Sequence, residues 1–138
     1  YLTLNEEIVD MEMERKWYQD HMKAGMTYLV VRVDDKIVGG AGIEPRVGKE
    51  SHVVTYGVSI KKEFRNMGIG TRLTEALIEV ARQRGFEIVE LAVYGSNKRA
   101  FHLYKKCGFQ EVGRIKRGVK MPDGTHTEKI IMILLLRE

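Results

Sequence analysis

Cysteine is almost absent from this chain of 138 residues: Cys107 is the sole thiol. One thiol excludes an internal disulfide and supplies no cysteine cluster, so no metal is expected. The same scarcity makes the cytoplasm the expected compartment. No apolar run approaches the roughly 20 residues of a membrane span. The longest, residues 130–136, is strand-sized, and no membrane partner is expected. No signal peptide, low-complexity tract, repeat or linker is read, so 1–138 is taken as one domain. Charge of one sign is also lacking. Lys and Arg number 23 against 19 Asp and Glu, a net charge of +4. That suits an anionic ligand but is not the dense basic stripe of a nucleic-acid binder. What is present is ordinary for a globular domain with a real core: 43% hydrophobic and 30% charged residues.

The order of elements follows from periodicity. Residues 6–24 read as a helix with Trp17, Tyr18, His21 and Met22 near one face and Gly25 as its stop. Residues 27–33 and 37–43 read as strands joined by the Asp34-Asp35-Lys36 turn. Residues 45–49 form a loop and 52–60 a longer strand. Residues 71–84 are a strong helix. Leu73, Ala76, Leu77, Val80 and Ala81 take the i, i+3, i+4 spacing, and Gly85 closes it. Residues 87–94 are a buried strand. Ser96 or Asn97 caps a short helix in which Ala100, Leu103, Tyr104 and Cys107 share a face. Residues 109–116 and 126–136 are strands joined across Pro122-Asp123-Gly124. The strand–helix–strand unit over 52–94 allows parallel pairing, and the flanking hairpins make the sheet mixed. The class is α/β.

One turn carries the chemistry. Arg65-Asn66-Met67-Gly68-Ile69-Gly70-Thr71 joins a strand to a helix. The first N–H groups of a helix have no partner within it, and its dipole favours an anion there. A phosphate or pyrophosphate is the natural guest, and glycine admits it to the backbone. The turn is not a P-loop, because no lysine follows Gly70. It is not a dinucleotide fingerprint, because the third glycine position is Leu73 and Tyr94 stands where an acid is needed.

A second segment runs Asn97-x-x-Ala100-x-x-x-Tyr104, followed by Gly108-Phe109. With Arg65-x-x-Gly68-x-Gly70, it resembles the GNAT superfamily of acyl-CoA-dependent N-acetyltransferases over about residues 27–136. The resemblance implies a mixed, mostly antiparallel twisted sheet with a central splayed parallel strand pair and helices on both faces. It implies acetyl-CoA as cosubstrate and an amine as acceptor. Val58, Ser59 and Ile60 match the strand that pairs with the pantetheine arm. Asn66, Met67, Gly68, Ile69, Gly70 and Thr71 match the pyrophosphate loop, and Arg65 is a candidate partner of the same group or of a nearby carboxylate. Asn97, Ala100 and Phe101 match the wall beside the arm. Tyr104 matches the tyrosine that protonates the leaving thiolate. Lys62 departs from the pattern, where proline is common. The family's fold opens with a strand and helix ahead of the first helix read here. That strand is expected to be absent or to belong to residues ahead of Tyr1, leaving a sheet edge open in this chain. A homodimer is the expected assembly.

Acetyl transfer needs a neutral amine, a polarised carbonyl and a protonated thiolate. An alkyl amine of pKa near 10.4 costs about 4.6 kcal/mol to neutralise at pH 7, whereas an α-amine near 7.8 costs far less. Glu44 and His52 are the candidate bases, with Glu90 and Tyr56 behind them. The final hairpin is similar to that of bacterial ribosomal-protein alanine N-acetyltransferases. Their catalytic glutamate falls at Ala92 here, which argues against carrying over their peptide N-terminal activity. The expected function is N-acetyltransfer to a small amine, an amino-acid derivative or a peptide N-terminus by direct attack in a ternary complex. The alternative is a non-catalytic acyl-CoA-binding sensor or scaffold.

Overall fold

The computed structural model describes residues 2–5, 9–13 and 25–137. Eight strands form one sheet: β1 (Leu2–Asn5), β2 (Val9–Met13), β3 (Thr27–Val33), β4 (Lys36–Pro45), β5 (Val53–Ile60), β6 (Ile88–Tyr94), β7 (Gln110–Lys120) and β8 (His126–Leu135). Helix α1 (Ile69–Gln83) joins β5 to β6, and α2 (Lys98–Lys106) joins β6 to β7. The strand order is β1-β2-β3-β4-β5-β6-β8-β7. Every neighbouring pair is antiparallel except β5 and β6. The mixed sheet with one central parallel pair is as expected.

The N-terminal expectation needs correction. Val9–Met13 is strand, not part of a helix over 6–24. The alternation Val9-Asp10-Met11-Glu12-Met13 has the period of a strand, which competed with the helical reading. Residues 6–8 and 14–24, with Trp17, Tyr18, His21 and Met22, lie outside the described residues. The edge expected to be open beside β3 is occupied by β2, in the register Asp10↔Arg32 to Met13↔Leu29.

The turn between β3 and β4 explains its own sequence. Asp34 and Asp35 both take left-handed φ, at 51° and 66°. Two such residues make the mirror-image turn whose twist suits a tight hairpin, and Asp tolerates that conformation. Helix α1 lays Leu73, Leu77 and Ala81 against the sheet with almost no exposure. They meet Val31, Val38, Ala41, Ile43, Val54 and Val89 in one core. Tyr104 of α2 joins that core, with Phe109 just beyond the helix. Both described helices therefore pack on the same face of the sheet.

Candidate active site

The parallel pair is short. It runs through Val53↔Ile88, Val54↔Val89 and Thr55↔Glu90, then the strands part. Strand β4, on the other side, stays paired with β5 to Gly39↔Ile60. Hydrogen bonds at both ends fix which backbone groups each side uses. Arg46 N–H donates to the Val53 carbonyl at 2.9 Å, and Lys61 N–H to the Val38 carbonyl at 2.8 Å. An antiparallel ladder alternates, so Val53, Thr55, Gly57 and Ser59 bond towards β4. The N–H and C=O of Val58 and the N–H of Ile60 then face the gap beside β6. The Ile60 carbonyl accepts from Arg65 Nε at 3.2 Å.

The turn before α1 ends at the same place. Asn66 and Gly68 take left-handed φ, at 64° and 79°. Gly68 caps the helix without any side-chain hydrogen bond, and no acidic residue stands in the first turn. Arg72 N–H takes the Gly68 carbonyl at 3.1 Å. The N–H groups of Ile69, Gly70 and Thr71 thus have no acceptor within the helix. The two glycines serve different ends. A Cβ at Gly68 would meet nothing within 4 Å, so only its φ calls for glycine. A Cβ at Gly70 would lie 2.8 Å from Leu103 Cδ1 and 3.3 Å from Ile60 Cδ1. Gly70 lets α1 approach α2 without displacing the methyl ends of Leu103 and Ile60, a packing role the anion argument did not contain.

Asn97 is the residue that caps α2, accepting from Ala100 N–H at 3.1 Å. Ala100 and Phe101 are half-buried on the helix behind it. Tyr104 is buried, its ring edge-on to Tyr56 at 6.2 Å and to Phe109 at 5.8 Å. Its hydroxyl has no hydrogen bond to any described residue. Burial, with a smaller contribution from Cys107, pushes its pKa up to about 12. Tyr104 therefore keeps its proton at neutral pH.

Tyr56 points into the core and not across the gap. Its hydroxyl lies 2.8 Å from Thr74 Oγ1. Thr74 Oγ1 in turn donates to the Gly70 carbonyl at 2.7 Å. A threonine hydroxyl has one proton, so Tyr56 is the donor to Thr74. Burial pushes the Tyr56 phenol well above its ordinary pKa.

The opposite face of the sheet carries the candidate bases. Glu44 pairs with Thr55, and Thr55 with Glu90, so the three form one row where the gap begins. Arg46 joins Glu50 at 2.9 Å and also binds Glu90. A depression of about 340 Å³ opens on this face, lined by Met26, Tyr28, Gly42, Glu44, Gly57 and Ser59 among others. His52 stands elsewhere. It is exposed and precedes β5 at the paired end, roughly 20 Å from Val58 by strand rise. Thr74 and Arg46 were missed in the sequence. Thr74 did leave a signal: a polar residue four after Gly70, on the apolar stripe of α1.

A mixed sheet parted beside an unshielded helix N-terminus defines an α/β fold that can take an extended, anion-bearing cosubstrate. The chain matches the acetyltransferase (GNAT) family over residues 2–109, and it belongs to that family. It is 31% identical over 108 residues to the probable N-acetyltransferase camello of Xenopus tropicalis, covering 78% of this chain and 47% of that protein. It thus spans about half the length of that relative. A GNAT-family acetyltransferase structure from Streptococcus pneumoniae matches with a TM-score of 0.78 and 28% identity, over 85% of this chain and 71% of that one. The fold is also that of yncA from Salmonella typhimurium, solved with its cofactor acetyl-CoA. There the TM-score is 0.80 at 22% identity, over 88% of this chain and 71% of that one. Among the described residues no helix is long and apolar enough to cross a membrane.

Proposed function

We propose that residues 1–138 act as one acetyltransferase domain that moves an acetyl group from acetyl-CoA to a primary amine. The observation that carries this is the gap after Thr55↔Glu90, opening beside the free N–H groups of Ile69, Gly70 and Thr71. The residues fit the cosubstrate. Val58 and Ile60 offer an unpaired strand edge to the amides of a pantetheine arm. Ser59 lies between them. Arg65, Asn66, Met67, Gly68 and the first turn of α1 offer a basic, acid-free seat for a pyrophosphate. Asn97, Ala100 and Phe101 wall the arm. Acetyl-CoA supplies a thioester-activated acetyl group.

The chain's own groups do the rest. The Val58 N–H faces the gap and donates to the acetyl carbonyl oxygen, stabilising the charge that grows there. Tyr104, protonated and without an acceptor among the described residues, gives its proton to the departing sulfur. Glu44 is better placed than His52 to take a proton from the amine, because it stands in the row at the mouth of the gap. The acceptor is a small amine, an amino-acid derivative or a peptide N-terminus. The compartment is the cytoplasm and the assembly a homodimer.

The test is acetylation of a panel of primary amines, with CoA binding measured alongside. Turnover by the unmodified chain is expected, with kcat reduced about 10²- to 10⁴-fold by Tyr104→Phe. Tight CoA binding without turnover of any amine would overturn the enzyme reading and favour a sensor. Full turnover by Tyr104→Phe would remove only the role given to that residue.

A further inference from the structure

We propose that Tyr56 and Thr74 are positioning residues that set the spacing between the two anchor points of the cosubstrate. This rests on the CoA reading above. One anchor is the open edge at Val58 and Ile60. The other is the first turn of α1. They belong to different elements, and the connection between them is residues 61–68. That connection holds one short 3-10 turn, Lys62–Phe64, and the left-handed Asn66 and Gly68. Such a segment does not fix a distance by itself.

Core packing holds α1 on the sheet, and two buried hydrogen bonds set where its first turn stands against β5. Tyr56 is two residues before Val58, and Gly70 lies in the first turn of α1. The chain Tyr56 O–H to Thr74 Oγ1 to Gly70 carbonyl spans them with distances of 2.8 and 2.7 Å. Tyr56 and Thr74 are 5% and 0% exposed, so water does not compete for these bonds. The Tyr56 ring also abuts Tyr104, so one side chain registers both anchors and the proton donor.

A ligand that reaches two sites gains from the linkage only when its length matches the span. Loosening the span should weaken the whole ligand and spare its parts. Calorimetry with three probes tests this: CoA, pantetheine, and 3′-phospho-ADP, which carries the pyrophosphate without the arm. Tyr56→Phe is expected to weaken CoA about tenfold and leave each fragment within about twofold. Thr74→Ser keeps the hydroxyl and should bind CoA like the unmodified chain, whereas Thr74→Val should behave like Tyr56→Phe. Equal weakening of all three probes would reduce Tyr56 to general structural support and overturn the proposal. Unchanged CoA affinity in Tyr56→Phe would overturn it too. Failure of the unmodified chain to bind CoA would refute the proposed function, and this inference with it.

Discussion

Removing the Thr74 hydroxyl should cost more stability than removing the Tyr56 hydroxyl, and removing both should cost less than the sum. The reason is the direction of the bonds. In Thr74→Val the side chain keeps its shape, and the Gly70 carbonyl keeps the α-helical N–H of residue 74. Tyr56 O–H, on a residue 5% exposed, loses its only acceptor among the described residues. A buried donor left unmet costs about 1–3 kcal/mol. In Tyr56→Phe the Thr74 hydroxyl still donates to Gly70, so no donor is orphaned and the loss is about 1 kcal/mol. The double variant replaces both partners by apolar groups of similar shape and orphans nothing. It should be no less stable than Thr74→Val alone, with a coupling of about 1 kcal/mol or more. Urea unfolding followed by circular dichroism measures all three, and a shared m-value confirms that only stability changed. A 2 kcal/mol loss corresponds to a fall in Tm of roughly 4–8 °C for a domain near this size. Two results would refute the reasoning. One is additivity of the single costs within about 0.3–0.5 kcal/mol. The other is a larger loss for Tyr56→Phe than for Thr74→Val, which would reverse the assigned donor.

Alkaline pH should destabilise the fold through the tyrosines. Tyr104 has a folded pKa of about 12 against an unfolded value near 10, so its contribution is intact below about pH 10 and lost as pH rises towards 12. The loss reaches about 1.4 kcal/mol by about pH 11, and Tyr104→Phe should remove it from the measured stability profile. Gly70→Ala should destabilise by about 1 kcal/mol, the low end of an overpacking cost, because its Cβ meets only the movable methyl ends of Leu103 and Ile60, and a Leu103→Ala background should relieve much of that in thermal unfolding. Gly39→Ala should weaken CoA binding several-fold in calorimetry, because its Cβ would sit 2.9 Å from the Ser59 carbonyl oxygen and 3.2 Å from Ile60 Cα, pushing on the open edge.

Local signals in the sequence were read well where they were periodic or capped. The stripe Leu73, Leu77, Ala81 placed α1 on the sheet, and Asn97 caps α2 as one of two candidates. The residues around the gap were legible because Arg65-x-x-Gly68-x-Gly70 and Asn97-x-x-Ala100-x-x-x-Tyr104 stand as two recognisable motifs. Three things were hidden for physical reasons. Register is set by pairing between distant segments, so the row Glu44, Thr55, Glu90 has no local signature. The bond between Tyr56 and Thr74 joins residues 18 apart on different elements. The packing role of Gly70 depends on Leu103, which arrives from another helix. At the N-terminus, apolar residues at 9, 11 and 13 belong to a short strand, yet they also fit a longer helical window. Tertiary pairing with β3 decided between them.

The gap is itself an energetic statement. An unpaired strand edge inside a sheet forfeits ladder hydrogen bonds and invites another strand. Nothing in β5 alone would keep Tyr56 to Ile60 extended without a partner on that side. Strand β4 does so by pairing along the whole of β5, and Lys61 N–H extends the ladder one residue further. Ordering each residue costs roughly 1–2 kcal/mol, and here that cost is met in folding. A ligand that adds itself as a strand therefore meets an edge already in position, and its own contacts appear as affinity. The Tyr104 side chain is likewise fixed in folding, held between the rings of Tyr56 and Phe109. A fold that opens its sheet on one side of β5 holds the other side through the β4 ladder, and two glycines of β4 let a β3 side chain lie flat on the sheet there. Gly40 and Gly42 lie under the ring of Tyr28, where a Cβ would be only 2.7 and 2.8 Å from it. The Tyr28 ring thus lines the depression beside Glu44 on ground that only residues without a Cβ leave clear.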